Sequence, residues 1–252
     1  MMRAAGVLVL LCFAAVGVTR AQAPRVELDH VFIVVTPGAA DEIAALRSAG
    51  LTIPSEPPRK HEGQGTASVA AYFENAYLEL IWVDSTVSVA PEHVSTAQWF
   101  RNAASWRTNG RSPFGLGLRR VAGDTAALPV PVEREAAGWL EAGAAYEVLH
   151  QPSDSLAADL FVVPAVAAVP RWIARARRRE PELWLHPGGG REITLVRVHG
   201  LPNHHPNALR VLRPSRVETI AGSAPLLELQ LDGGVRGERV DLRPTVPLVI
   251  IR

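Results

Sequence analysis

The sequence predicts an α+β fold, and three observations predict it. Leu28 to Val83 reads as strand, helix, strand, strand, strand. Segments of similar order recur, less cleanly, between Phe114 and Leu231. The tripeptide Leu78-Glu79-Leu80 returns as Leu227-Glu228-Leu229, each copy inside a strand-like run. A three-residue echo counts as a repeat signal only because similar segments surround both copies.

The first unit is the clearest. Leu28 to Val35 (LDHVFIVV) is apolar and β-branched on both faces, as in a fully buried strand, except at Asp29 and His30. Thr36-Pro37-Gly38 breaks it, and Ala39 to Ala49 reads as a helix with Ile43 and Leu46 inward and Gly50 as its stop. Leu51 to Ile53 reads as a short strand, followed by a Pro- and Gly-containing loop through Gly65. Thr66 to Phe73 alternates weakly, Glu74-Asn75-Ala76 turns, and Tyr77 to Val83 (YLELIWV) is another apolar strand.

The later segments follow the same logic. Ser95 to Trp106 reads as a capped helix. Phe114 to Leu118 suits a strand, Val132 to Ala142 a helix closed by Gly143, and Tyr146 to His150 and Ala158 to Val163 further strands. A probable helix around Trp172 carries five arginines between Arg171 and Arg179, a solvated basic face in the bland reading. A third group comprises Glu192 to Val198, a short helix at Asn207 to Leu212, and Leu226 to Leu231.

With 48% hydrophobic and 20% charged residues, the 252-residue chain is neither disordered nor a disulfide-stapled miniprotein. Its formal charge of +1 supplies no clustered positive field, so nucleic acid is not an expected partner. Met1-Met2-Arg3, the apolar run Ala4 to Val18 and the small residues around Ala21 read as a signal peptide cleaved after residue 21. The run is short for a bilayer of about 30 Å, so no stable membrane insertion is expected after cleavage. The expectation is export, to the periplasm or beyond the cell, with residues 25–252 forming the folded part. The lone cysteine, Cys12, would leave with the leader, which removes disulfide, thiol nucleophile and thiolate metal chemistry together.

His30 and Glu79 carry the chemical interest. Each lies in a strand that is otherwise nearly all apolar, and a buried carboxylate needs a cation, a metal or a strong donor. If their strands line one concave sheet, imidazole and carboxylate converge on a divalent ion. The alternative has Glu79 paired with an arginine and His30 bonded to a backbone carbonyl. His61 precedes a Gly-Gln-Gly turn, where backbone can approach a ligand, and reads either as a pocket base or as an exposed loop histidine. His186, beside Gly188 to Gly190, is a weaker case of the same kind, and that glycine run lacks the Lys-Ser/Thr of a phosphate loop. His199, His204 and His205 form a second cluster, read as a solvated loop in preference to a metal site. No G-x-S-x-G, H-E-x-x-H or G-x-G-x-x-G occurs.

Leu28-Asp29-His30-Val31, His61 to Thr66 (HEGQGT) and Phe73 to Ile81 (FENAYLELI) together resemble the first module of glyoxalase-like proteins of the vicinal oxygen chelate superfamily. The resemblance is dense over residues 28–83 and thin over 114–231. It implies paired β-α-β-β-β modules with curled mixed sheets around a cavity. It also implies a divalent metal (Zn, Mn, Fe or Ni) held by a His on the first strand and a Glu on the last strand of each module. Carried over, His30 and Glu79 take the first-module positions, and Glu228 is the candidate second carboxylate. The second histidine has no counterpart: the matching residue is Gly115 if Phe114 to Leu118 is the partner strand, and Ile193 or Thr194 if Glu192 to Val198 is.

The functional expectation is a metal-dependent lyase or isomerase that chelates a small oxygen-rich substrate and stabilises an oxyanion. Glu79 and His61 would be its catalytic residues, with His61 moving protons. The alternative is a non-catalytic protein of the same fold that sequesters a small molecule. A third reading makes Arg236 to Arg252 an interaction segment, and a homodimer is compatible with all three.

Overall fold

The computed structural model describes residues 25–55, 57–149, 158–200, 215–222 and 224–252. The signal-peptide segment, His204, His205 and the expected helix at 207–212 lie outside the described residues. In chain order, β1 (Val26–Val34) leads to α1 (Ala40–Ser48), β2 (Arg59–His61), β3 (Thr66–Tyr72) and β4 (Tyr77–Val83). Then come α2 (Val94–Ala104), α3 (Trp106–Asn109), β5 (Phe114–Arg120), β6 (Val132–Glu135), β7 (Tyr146–Leu149) and β8 (Asp159–Val163). Helix α4 (Val169–Arg179) precedes β9 (Ile193–His199), β10 (Val217–Ile220), β11 (Leu226–Leu231), β12 (Arg239–Asp241) and β13 (Leu248–Ile251).

The strands form two mixed sheets, so the α+β class holds. The first runs β2-β3-β4-β1-β5-β8-β7-β6 and the second β10-β9-β11-β13-β12. Neither sheet closes on itself. In the first sheet β1 pairs with β4 in parallel, β5 pairs with β8 in parallel, and β1 meets β5 antiparallel at the centre. The order therefore reads the same outward from the β1–β5 seam in both directions. The partner of the first unit is β5–β8, and the Glu192 to Val198 segment instead becomes β9 of the other sheet.

Local chemistry explains the first unit. Glu42, buried in the first turn of α1, accepts from the Thr36 backbone N–H (3.2 Å) and hydroxyl (2.9 Å), which locks the strand-to-helix corner. Gly50 ends the helix at φ 76°. A Cβ there would lie 2.5 Å from the Gly188 backbone nitrogen, so only glycine fits. Strand β1 is buried on both faces, as its unbroken apolar run implies. Val31 and Ile33 join α1's Leu46 in a core that also contains Val196, Leu229 and Ile250 of the second sheet. Phe32 and Val34 face the other way, into a smaller cluster with Ile81, Phe161 and Phe100 of α2.

Two sequence expectations change. Leu51 to Ile53 is buried but not a strand; its backbone is satisfied locally, with Leu51 N–H bonding Leu46 and Thr52 N–H bonding the His186 ring at 3.0 Å. The edge strand is Arg59–His61 instead. Val132 to Ala142 is not a helix, because Val132–Glu135 pairs antiparallel with β7 and Gly138 lies in the loop beyond. The segment Arg236 to Arg252 is built into the fold: Val249 and Ile250 are wholly buried, and β12 and β13 complete the second sheet. His186 is structural: it accepts from Thr52 N–H and its other nitrogen donates to the Tyr72 carbonyl at 3.0 Å, joining the loop before the second sheet to the first. Burial holds its pKa below the ordinary histidine value.

Candidate functional site

The β1–β5 seam creates the site. The pairing slips between Leu28 and His30, so Asp29 is the extra residue of a β-bulge. The bulge turns the Asp29 side chain toward its neighbour, and Asp29 Oδ1 meets His30 Nδ1 at 3.0 Å. Oδ2 of the same carboxylate accepts from the Val169 N–H at 2.8 Å, where α4 begins. Asp29 thus fixes the imidazole and seats α4 at once, leaving His30 Nε2 as the nitrogen without that anchor.

Across the seam the alternation of Phe114-Gly115-Leu116-Gly117-Leu118 has a steric purpose. Phe114, Leu116 and Leu118 enter the core, while the glycines make room on the opposite face. A Cβ on Gly117 would stand 2.5 Å from the His30 ring, and one on Gly115 would stand 2.0 Å from the Phe32 ring. Side chains from the first unit therefore occupy the space that side chains of the second would need. His30 stacks on Tyr77 at 4.5 Å and 11° and lies against Phe161 at 5.3 Å.

His30, His61 and Glu79 line one cleft, together with Arg59, Tyr146 and Trp139. The tautomer of His61 follows from its partners. Thr66 has one hydroxyl hydrogen and gives it to Gln64 Oε1 at 2.8 Å, so the Thr66 oxygen accepts from His61 Nδ1–H at 3.0 Å. Nε2 then carries the lone pair, with the Ser68 hydroxyl at 3.3 Å and Glu79 Oε1 at 3.8 Å. Burial lowers the His61 pKa; the Glu79 charge opposes that shift and Arg59 adds to it. The ring is neutral near pH 7, and its Nε2 lone pair faces the Ser68 hydroxyl. Apart from that 3.8 Å approach, Glu79 has no hydrogen-bonding or ionic partner among the described residues.

Other groups at the inner end were not singled out by sequence reasoning. Glu135 accepts from the Thr96 hydroxyl at 2.7 Å and lies 3.0 Å from Nδ1 of buried His93. Asp159 shares the cleft wall, and burial, reinforced by the Glu135 charge, pushes its carboxyl up to about 7. Burial and the Glu79 charge hold Tyr77 well above the ordinary tyrosine value. The glycine alternation on β5 was the one signal in the sequence that a ring must lie there.

Glu228 does not join this group. It sits on β11 of the second sheet, 3.0 Å from Arg239 and 3.4 Å from His199. Burial alone would raise its carboxyl, but hydrogen bonds from Arg239 and His199 hold it below the usual value.

The sequence comparison now fits the geometry. Residues 28–199 match the family described as a glyoxalase-like domain. The chain belongs to that family. A search of curated proteins returns no match. Among solved structures, the chain is similar to a hypothetical protein from Staphylococcus aureus at 10% identity, covering 89% of this chain and 98% of that one with a TM-score of 0.48.

The metal that the resemblance implies can be tested against the donors present. His30 and Glu79 supply one imidazole and one carboxylate from the first unit of the glyoxalase-like domain. The second unit presents Gly115 and Gly117 on β5, and Phe161 on β8 pairs with Gly117. Among the described residues no three His, Cys, Asp or Glu side chains are arranged to hold a metal ion. The donors therefore do not complete the four-ligand set, and two ligands alone bind a divalent cation weakly.

Proposed function

We propose that this glyoxalase-like domain binds a small organic molecule in the β1–β5 cleft, through a hydrogen-bond donor that the molecule presents to Glu79. The observation that carries the reading is the Glu79 carboxylate, which lines the cleft with no ionic partner closer than His61 at 3.8 Å among the described residues. A buried carboxylate without a donor is costly, and a ligand O–H or N–H would satisfy it. Phe32, Tyr77, Tyr146 and Phe161 supply flat apolar walls, and Arg59 supplies a cation at the edge strand. Nε2 of His61, shared with the Ser68 hydroxyl at 3.3 Å, is the basic nitrogen that would accept the proton of an acidic ligand group. The paired units, in this reading, are the two halves of one binding sheet, and the protein works after export.

One observation favours the metal-dependent enzyme of the family. The Asp29–His30 contact is the carboxylate–histidine arrangement that fixes the ring and leaves its second nitrogen for a cation. In that reading His30 and Glu79 would hold the ion, which would supply Lewis-acid polarisation of a substrate oxygen.

Thermal melting distinguishes the two. Wild type, His30→Ala and Glu79→Gln are melted with and without chelator, and then against a fragment set of hydroxylated and amino aromatics. Small-molecule capture predicts no chelator effect, with stabilisation by donor-bearing fragments in wild type that Glu79→Gln loses. A chelator-induced drop of the wild-type midpoint, with metal found by elemental analysis, would install the enzyme reading in its place.

A further inference from the structure

The cleft has two chambers that meet at His30, Tyr77, Glu79 and Arg59. The inner one, toward Phe32, Thr96 and Phe100, has a volume of about 110 Å³. The outer one, between the sheet and α4, has about 540 Å³. An apolar cavity of about 150 Å³ is what admits a benzene ring, and ligand pockets typically run from about 300 to 1,000 Å³. The inner chamber thus falls below the enclosed space a ring occupies, whereas the outer one lies within the ligand-pocket range.

Aromatic rings form one part of the outer wall, beside the carboxylates of Glu141 and Glu180. Tyr72 stacks on Trp184 at 5.2 Å, and Trp172 of α4 packs edge-on against both Tyr72 (5.9 Å) and Tyr77 (6.0 Å). Tyr77 also stacks on His30, so one aromatic run leads from the polar waist outward. The same Asp29 carboxylate that holds His30 also receives the first N–H of α4, which fixes the outer wall relative to the waist.

We propose that the ligand is bipartite: a hydroxylated aromatic whose O–H sits at Glu79 while a ring system larger than one ring extends into the outer chamber beneath α4. The inner chamber accepts only a small substituent or water. This assignment rests on the binding role given to Glu79 above, and it adds the size and direction of the ligand.

The test uses phenol and 4-phenylphenol as probes, titrated calorimetrically into the full chain. Both carry the same hydroxyl, and only the second has a ring to extend. For wild type, 4-phenylphenol should bind roughly tenfold tighter or better. Ala176→Trp and Val166→Trp fill the outer chamber from two separate elements without touching the waist. In either variant that retains the wild-type melting profile, the advantage of the second ring should fall to about twofold while phenol binding is kept. Glu79→Gln should weaken both probes equally. An advantage that persists in both filled variants overturns the bipartite assignment alone. Absence of binding by either probe, or binding indifferent to Glu79→Gln, overturns the proposed function and this inference with it.

Discussion

Replacing Asp159 by asparagine should make the protein more stable at pH 8 than the wild type, and less so at pH 5. Asp159 stands on β8 at the cleft wall, and its carboxyl is raised from 3.8 to about 7, first by burial and then by the Glu135 charge. A raised carboxyl keeps its proton in the folded state between those two values while the unfolded chain has released it. The folded wild type accordingly loses stability as pH rises through that window. The full displacement corresponds to about 4 kcal/mol, and the portion falling between pH 5 and pH 8 to about 2–3 kcal/mol. Asparagine keeps the shape and cannot ionise, so this part of the pH dependence disappears. Urea denaturation of both proteins across that range should give curves that diverge by that amount, and melting midpoints that separate by roughly 5–10 °C. Curves that stay parallel from pH 5 to pH 8 would show that Asp159 is ionised in the folded state and that the inner wall is wetter than its geometry indicates.

Gly117→Ala should lower stability by about 1–3 kcal/mol and displace the His30 ring, because the added Cβ would stand 2.5 Å from it. Denaturation midpoints report the first effect, and the imidazole resonances of His30, compared with those of His30→Ala, report the second. Asn75→Ala should cost about 2–3 kcal/mol, read from the urea midpoint at unchanged slope. The Asn75 amide donates to the Ile193 carbonyl at 2.8 Å and accepts from its N–H at 3.0 Å, tying the β3–β4 turn to the first strand of the second sheet.

What the sequence makes legible here follows from where periodicity is strong. Strand β1 and strand β4 are buried on both faces, so an unbroken apolar run marks them and any polar residue inside them stands out. That is how His30 and Glu79 came to notice, and the structure brings both to one cleft with His61. The misses lie where burial is partial. Arg59–His61 is a three-residue polar edge strand whose existence depends on pairing with β3, and Val132–Glu135 is exposed along most of its length in a stretch rich in Ala and Glu. Asp29 was visible only as an exception to an apolar pattern. Its double role requires the bulge, and a one-residue register slip leaves no mark in composition. Glu228 shared a tripeptide with Glu79, but strict alternation with Leu227, Leu229 and Leu231 belongs to a strand with one wet face, and three arginine or histidine side chains approach it there.

The two halves of the first sheet show how a symmetric scaffold yields a one-sided site. Both halves place a central strand at the seam and a parallel neighbour beside it, so each half starts with equal access to the cleft. The space at the seam is taken by the His30 and Phe32 rings, which stand where a Cβ on Gly117 or Gly115 would be. Glycine on β5 resolves the conflict in favour of β1, whose His30 and Phe32 rings then lie directly over the partner backbone. The same choice removes ligating side chains from the second half and leaves Glu79 without the counter-carboxylate and second imidazole that would share a cation. A donor from a ligand is the partner proposed for that carboxylate.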